Sequence, residues 1–190
     1  MRINILFLLI VVTIFSGEIL SHKIFFMKEK NLSGFYSLSK ECPDSTKEMT
    51  VQGTSMYPFI KPEDKVKALF GYYACHDIQR NDIVLFKFSG NKNLLIKFVR
   101  AIPGDQWSLK KTDNVYEIII NGITLKNSEG KPYQFSEYSC KMLKLYTKDY
   151  PIIPEGVYLL LGDKIEGSLD SSHFGLVNKN EIVAKIVCDK

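Results

Sequence analysis

The sequence has few of the residues that build metal sites and histidine-based catalytic centres. Its 190 residues include three histidines and four cysteines, and no two cysteines form a Cys-x-x-Cys pair. Structural zinc sites use closely spaced pairs of such ligands. The composition therefore argues against a zinc site, and we expect neither a metal nor an organic cofactor. The cysteines are Cys42, Cys75, Cys140 and Cys188.

The sequence leaves the state of these cysteines open. An even number of cysteines in an exported domain allows one or two disulfides, and four cysteines can pair in three ways. The alternative is that all four are buried thiols. The spacing alone does not select a pairing.

The chain also lacks internal repeats, low-complexity tracts and clusters of basic residues. Its formal net charge is +4, but the lysines and arginines are scattered, so we expect no nucleic-acid partner. A small positive charge suits an anionic membrane surface. Hydrophobic residues make up 45% and charged residues 24%, which excludes wholesale disorder. The length fits one domain with its own core.

A single long apolar run is present, at the start of the chain. Residues 5–15 are apolar apart from Thr13, and the run continues to Leu20 with an interruption at Glu18. A bilayer-spanning helix needs about 17–25 such residues. We expect residues 1–20 to form a retained membrane anchor. The core of a cleaved signal peptide beginning with Arg2 is the alternative, although small residues are missing at suitable cleavage positions. A buried soluble helix is a third reading.

The charges around this run do not determine the topology. His22, Lys23, Lys28 and Lys30 follow it, which by the positive-inside rule would leave the domain in the cytoplasm. Long domains, however, are translocated largely regardless of such charges. Disulfide formation would require the opposite orientation.

After a polar lead-in at residues 21–49, which we expect to be a linker, short β-branched and aromatic runs alternate with turn signals. This pattern predicts a mainly antiparallel β domain over residues 50–190, closed or sandwich-like. Residues 123–150 show little periodicity and are expected to be a small insertion or flap. The predicted strands lie at residues 65–70, 82–88, 94–102, 116–122, 157–163 and 181–187.

Two segments carry residues with catalytic potential. Ser55 in GTSMYP precedes a proline-containing turn, and Gly53 lets another backbone approach closely. Lys97 interrupts an apolar strand; it is either an edge residue with its head in water, or a desolvated amine of lowered pKa that can act as a general base near pH 7 to 9. No histidine lies in a Ser-His-Asp pattern. Lysine is therefore the simplest partner that could activate Ser55.

A third segment, LLLGDKIEGSLDSSHFG at residues 159–175, ends a strand in Gly162-Asp163 and continues into a polar loop. Ser168, Asp170, Ser171 and Ser172 lie in this loop. By itself the segment is typical of a hydrogen-bonded turn before a final strand.

Together and in this order, these segments resemble the type I signal peptidase family of membrane-bound Ser/Lys proteases. Residues 53–58 (GTSMYP) match its Ser-Met-x-Pro box, and residues 80–86 (RNDIVLF) are similar to its Arg-Gly-Asp-Ile-Val-Val-Phe strand. Residues 97–105 (KFVRAIPGD) resemble Lys-Arg-Val-x-Gly-x-Pro-Gly-Asp, and residues 162–172 resemble the closing Gly-Asp-Asn-x-x-Ser-x-Asp-Ser-Arg box. Four boxes in the right order are far more specific than any one alone.

The resemblance assigns a role to each candidate residue. It implies that Ser55 is the nucleophile and Lys97 the general base, with Ser168 orienting the lysine by a hydrogen bond. Gly53 lies in the oxyanion region beside the Ser55 backbone N–H. Asp170 is a structural residue of the closing box. The implied fold is an antiparallel signal-peptidase-like β domain with a single N-terminal hydrophobic anchor helix.

The sequence also departs from the family pattern. Phe59 stands where the family usually has threonine, Phe98 where it often has arginine, and Ala101 where it usually has glycine. Lys164 replaces an asparagine, and Ser172 replaces the arginine that commonly pairs with the aspartate of the closing box. Asp170 therefore loses an expected partner.

The implied function is removal of N-terminal signal peptides from exported proteins by a membrane-anchored serine endopeptidase. Its expected partners are precursor proteins and the lipid bilayer, and we expect it to be monomeric. It is expected as a single-pass protein of the inner (plasma) membrane, with an extracytoplasmic or periplasmic catalytic domain. Trp107 is expected either at the membrane interface or in the core of the domain.

Three other functions remain open at this stage. The small size is shared with conjugative-transfer peptidases that mature a pilin precursor. Self-cleaving repressors use the same Ser/Lys chemistry, although the apolar start argues against them. A non-catalytic exported β domain that binds peptides is the third.

Overall fold

The computed structural model describes residues 45–88 and 94–188. The expected anchor at residues 1–20, and the expected linker up to residue 44, lie outside this part of the chain. Among the described residues, no helix is both long and apolar enough to cross a bilayer.

The described chain is mainly β, and all its strand pairings are antiparallel, as the sequence predicts. Two short α-helices accompany eleven strands in these residues. The strands are β1 (Ser45–Thr50), β2 (Lys65–Phe70), β3 (Ile83–Lys87), β4 (Leu94–Ala101), β5 (Trp107–Thr112), β6 (Val115–Ile120), β7 (Ile123–Thr124), β8 (Gln134–Ser136), β9 (Val157–Leu161), β10 (Val177–Asn178) and β11 (Ile182–Val187); the helices are α1 (Lys141–Asp149) and α2 (Ser171–Phe174).

The larger sheet has seven strands in the order β1-β2-β11-β3-β4-β9-β10. Its central strands are the β-branched runs that the sequence marks as strands, since such residues pack well on a pleated, buried surface. The side chains of Val84, Leu85 and Phe86 on β3 are all buried, as are Leu159 and Leu160 on β9. The core of this sheet therefore lies around β3, β4 and β9.

The smaller sheet consists of β5, β6 and β7, with β8 paired to β6. Together with α1 it encloses a second apolar cluster that includes Trp107, Ile118, Tyr133 and Leu143. The Trp107 side chain is buried and its Nε1 donates a hydrogen bond to the Tyr150 carbonyl at 2.6 Å, which confirms the core reading of this residue. Residues 123–150, expected as an insertion, thus contribute buried side chains of their own.

The first strand begins earlier than expected. Strand β1 starts at Ser45, inside the segment expected to be a linker, and pairs with β2 along its whole length. Its side chains are almost all exposed, so it lacks the alternation of apolar and polar residues that marks a half-buried strand.

The described cysteines are in two different states. Cys75 is disulfide-bonded. Cys140 and Cys188 are thiols, and the fourth cysteine, Cys42, lies outside the described residues.

Strand β4 is only partly covered, and this positions the site. It pairs with β3 from Leu94 to Phe98, whereas its pairing with β9 begins only at Phe98. The first half of β4 therefore presents one edge without a neighbouring strand among the described residues. Lys97 lies at the end of that open half.

Candidate active site

Ser55 lies in a tight turn between β1 and β2. The Tyr57 N–H donates to the Thr54 carbonyl at 3.0 Å, and the peptide bond between Tyr57 and Pro58 is cis. Met56 and Ile60 are both buried in the apolar cluster below the larger sheet. These two side chains hold the turn down, and Ser55 itself is left half-buried.

Lys97 reaches this serine from β4. Its Nζ lies 2.7 Å from Ser55 Oγ and 2.9 Å from the Ile96 carbonyl oxygen. The lysine side chain is 1% exposed. Burial lowers the pKa of Lys97 from 10.5 to about 8, although the negative charge of Asp170 acts in the opposite direction.

The structure thus brings together two residues that are 42 positions apart in the sequence. The reading of Lys97 as an edge lysine with a hydrated head does not fit its burial. A neutral amine within hydrogen-bond distance of a serine hydroxyl is the geometry in which a lysine can accept the serine proton.

Ser168 lies beside Ser55 but makes no hydrogen bond to Lys97 in this structure. Its Oγ is one of two buried side-chain oxygens without a partner in the described part of the chain. A Cβ placed on Gly162 would lie 2.3 Å from Ser168 Oγ and 2.4 Å from the Ser55 carbonyl oxygen. The backbone of Gly162 therefore fits closely between the two serines.

Asp170 accepts hydrogen bonds from donors other than the arginine that the family pattern predicts. Its Oδ1 accepts hydrogen bonds from the Ser172 N–H at 3.0 Å and the Ser172 hydroxyl at 2.7 Å. Its Oδ2 accepts from the Gly162 N–H at 2.9 Å. The carboxylate thereby ties the start of α2 to the end of β9.

A cleft of about 690 Å³ opens beside the two candidate catalytic residues. One wall is the stretch from the end of β1 to Met56, which includes Gly53, and the other is the uncovered half of β4. Gly53 is exposed, and the space around its Cα is open. The cleft is lined by Lys47, Glu48, Met49, Thr50, Val51, Gln52, Gly53, Ser55, Met56, Leu85, Leu94, Leu95, Ile96 and Lys97.

A buried polar network lies behind the site, and no motif of the sequence predicts it. The Arg100 guanidinium lies 3.4 Å from Asp163 Oδ1, and its Nε and Nη2 lie 3.3 and 3.2 Å from the Tyr133 hydroxyl. Tyr133 in turn donates to the Gly162 carbonyl at 2.7 Å. Ser128 donates to Asp163 through both its N–H and its hydroxyl. An arginine three residues after Lys97, in a strand whose other residues are apolar, is the one signal that the sequence offers.

Two residues that differ from the family pattern, Phe59 and Phe98, are in contact. The rings of Phe59 and Phe98 pack edge to face with 5.0 Å between their centroids. The Arg100 guanidinium lies 4.1 Å from the Phe98 ring centroid on β4. The arginine expected at position 98 is thus absent, but an arginine on the same strand lies against the phenylalanine that replaces it.

Comparisons with known proteins point to the same family as the motifs. Residues 45–188 match the family model described as signal peptidase, peptidase S26. Signal peptidase IB of Staphylococcus aureus is 31% identical over 146 residues, which cover 72% of this chain and 73% of that protein. Signal peptidase I of Bacillus caldolyticus is 29% identical over 140 residues, 72% of this chain and 74% of that protein.

A solved structure is also similar. The crystal structure of a signal peptidase I from Enterococcus faecalis aligns with 59% of this chain and 98% of its own, at 24% identity and a TM-score of 0.43.

Proposed function

The chain belongs to the signal peptidase family, peptidase S26, and is a serine peptidase; from this we propose that it removes signal peptides from precursor proteins with Ser55 as nucleophile and Lys97 as general base. The observation that carries the proposal is the 2.7 Å separation of Ser55 Oγ from a buried Lys97 Nζ. The names of its relatives supply the substrate class, since they are signal peptidases.

The reaction starts with Lys97 in its neutral form. The amine accepts the proton of the Ser55 hydroxyl while the oxygen attacks the scissile carbonyl carbon, and an ammonium and a tetrahedral oxyanion result. The ammonium then gives its proton to the departing amine as the C–N bond breaks. Water then attacks the acyl-enzyme carbonyl while the neutral lysine takes its proton. The ester bond to Ser55 Oγ breaks, the lysine returns the proton to that oxygen, and the signal peptide leaves with a new carboxyl group.

The oxyanion needs hydrogen-bond donors in a site that excludes water. The Ser55 backbone N–H belongs to the proposed nucleophile itself, and both Ser55 and Gly53 line the cleft. Removing one such donor typically lowers turnover about 10²- to 10³-fold. Gly53 therefore has a supporting role in the proposal.

Ser168 and Asp170 have supporting roles in the proposal. The Ser168 hydroxyl is buried without a partner, so it is available to accept a hydrogen bond from the lysine. We retain for Ser168 the role of orienting the lysine when substrate occupies the cleft. Asp170 keeps a structural role, and Ser172 is its hydrogen-bond donor in place of the family arginine.

The cleft suits an extended peptide. The uncovered edge of β4 and the segment that follows β1 form its two walls, so a substrate strand has an open sheet edge to pair with. Small apolar side chains before the cleavage site would face Met56, Leu85 and Ile96. A residue preference at −1 and −3, as in Ala-x-Ala signal peptides, belongs to the same proposal.

Anchoring completes the proposal. Residues 1–20 would hold the enzyme in the inner membrane by a single span, with the catalytic domain on the extracytoplasmic side. The disulfide at Cys75 supports this side, because disulfides persist in oxidising compartments.

The decisive experiment is cleavage of a precursor that carries an Ala-x-Ala signal peptide. We expect the full-length enzyme in detergent to cleave it at one site, and Ser55→Ala and Lys97→Ala to lower the rate at least about 10³-fold while remaining folded. Ser108→Ala and Lys110→Ala, two exposed positions on β5, are the matched controls and should retain activity. Cleavage by Ser55→Ala or Lys97→Ala at the wild-type rate would refute the assignment.

A further inference from the structure

Tyr133 holds a peptide group that lies directly against the catalytic turn. Its hydroxyl donates to the Gly162 carbonyl at 2.7 Å, and its ring is completely buried between the two sheets. Burial raises the pKa of Tyr133 to about 12, so the phenol keeps its proton and remains a donor at every pH at which the enzyme would work. The residue comes from the segment before β8 and contributes to the smaller sheet's core.

Gly162 is fixed on its other side as well. Its N–H donates to Asp170 Oδ2 at 2.9 Å, and the carboxylate of the next residue, Asp163, contacts Arg100 and Ser128. Both ends of this peptide segment are thus held by buried groups. The Arg100 guanidinium also donates to the Tyr133 hydroxyl, which directs the phenol proton towards the Gly162 carbonyl.

The fixed segment in turn supports the nucleophile. The Lys164 N–H donates to the Ser55 carbonyl at 3.0 Å. The Gly162 Cα lies so close to Ser55 and Ser168 that a Cβ there would overlap both. A displacement of Gly162 by a few tenths of an ångström therefore displaces the backbone of Ser55 relative to Lys97, which is carried by a different strand.

We propose that Tyr133 is a positioning residue for the Ser55–Lys97 pair and acts through the Gly162 peptide, with Arg100 orienting its hydroxyl. The proposal rests on the function proposed above. It gives the smaller sheet a part in catalysis, because Tyr133 lies in the segment leading into β8 and reaches the end of β9 on the larger sheet.

The test is Tyr133→Phe, which keeps the ring under the guanidinium and removes only the hydroxyl. We expect kcat to fall about 10- to 100-fold, because misplacing reacting groups by a fraction of an ångström lowers the rate strongly, while KM stays within about twofold. Acylation of Ser55 by a small serine-directed inhibitor, which does not need the peptide cleft, should slow by a similar factor. Tyr116→Phe is the control, since it removes a tyrosine hydrogen bond to the exposed Glu137 in the same sheet and should leave kcat unchanged.

The pH dependence separates positioning from mere packing. If Tyr133 acts through geometry, Tyr133→Phe lowers the plateau of kcat and leaves its pH midpoint in place. A raised midpoint with an unchanged plateau would show that the tyrosine only keeps water from Lys97, and would overturn the proposal. Wild-type kcat and acylation rates in a folded Tyr133→Phe enzyme would overturn it too.

A second variant and the wild-type cleavage assay separate this proposal from the proposed function. If Tyr133→Phe does not fold, Arg100→Lys keeps a cation beside Asp163 but orients the hydroxyl less well, and a loss of kcat of about fivefold is expected; an unchanged kcat would overturn the proposal. Failure of the wild-type enzyme to cleave any precursor would instead refute the proposed function. The acylation rates are measured without a precursor and still test Tyr133 in that case.

Discussion

At the scale of single residues, Lys97 combines two properties that oppose each other. It is nearly inaccessible to water, which disfavours its ammonium form, yet Asp170 lies close enough to favour that form. Burial has the larger effect, and the pKa of the lysine falls to about 8. A serine hydroxyl needs an adjacent base to become a nucleophile, so under the proposed mechanism this pKa determines how much of the enzyme is active at a given pH.

We therefore expect kcat/KM to rise with pH and to level off above about 8. The sign follows because the neutral amine is the base: at pH 7 roughly a tenth of a lysine with a pKa of about 8 is neutral, against less than about a thousandth of one with a pKa of 10.5. A profile of precursor cleavage between pH 6 and pH 10 measures this directly. A midpoint at or above 10, or activity that falls as pH rises from 7 to 8.5, would contradict Lys97 as the base.

At the scale of elements, the sequence predicts the buried strands and misses the exposed ones. Strands β2, β3, β4, β6, β9 and β11 were all placed from their β-branched and aromatic runs, because burial imposes that composition. Strand β1 is mostly exposed, and half of β5 is, including Lys110 and Lys111. Such edge strands need no continuous apolar pattern. Helix α1 lies in a segment whose period was too weak to identify.

The sequence predicts the pairing of Ser55 with Lys97 but not the contacts around it. Ser55 and Lys97 each lie in a recognisable segment, and the structure places them within hydrogen-bond distance. The Ser168 hydroxyl was expected on Lys97 and instead has no partner. Tyr133 follows a turn with no motif of its own, so its contact with Gly162 depends on how the two sheets pack, which no local pattern encodes.

The turn after β9 leaves no room for a side chain at Gly162. In Gly162→Ala the new methyl group would lie 2.3 Å from Ser168 Oγ and 2.4 Å from the Ser55 carbonyl oxygen, so the turn must move away from the nucleophile. We expect cleavage to fall at least about 100-fold and the free energy of unfolding to drop by about 1–3 kcal/mol. Precursor cleavage and chemical denaturation provide the two measurements.

Gly53→Ala is the matched stability control for this substitution. The space around Gly53 is open, so the added methyl group should leave the free energy of unfolding within about 0.5 kcal/mol of the wild type. Equal activity of Gly162→Ala and the wild type would show that the close fit around Gly162 has no bearing on Ser55.

At the scale of the whole molecule, the proposed active site draws on both sheets. The proposed nucleophile and base belong to the larger sheet, and the hydroxyl that contacts Gly162 comes from the segment next to the smaller one. The apolar clusters of the two sheets hold these parts at a fixed distance. A site assembled in this way can keep an amine dry, and burying that amine costs folding free energy.

Lys97→Met should therefore make the protein inactive and more stable. The folded pKa of Lys97, about 8, lies below its unfolded value, so below pH 8 both states are protonated and the full cost of burying the charge is present. Between about pH 8 and 10.5 the unfolded chain binds more protons, and wild-type stability rises with pH.

We expect Lys97→Met to raise the free energy of unfolding by about 1–3 kcal/mol at pH 7, and by less at pH 9.5. Denaturant unfolding of the full-length chain in detergent at both pH values measures the difference. Lys185→Met, which removes an ion pair with Asp82 just before β3, is a control that should not gain stability. A Lys97→Met variant less stable than the wild type at pH 7, or a difference that does not change with pH, would mean that the fold bears no cost for this lysine.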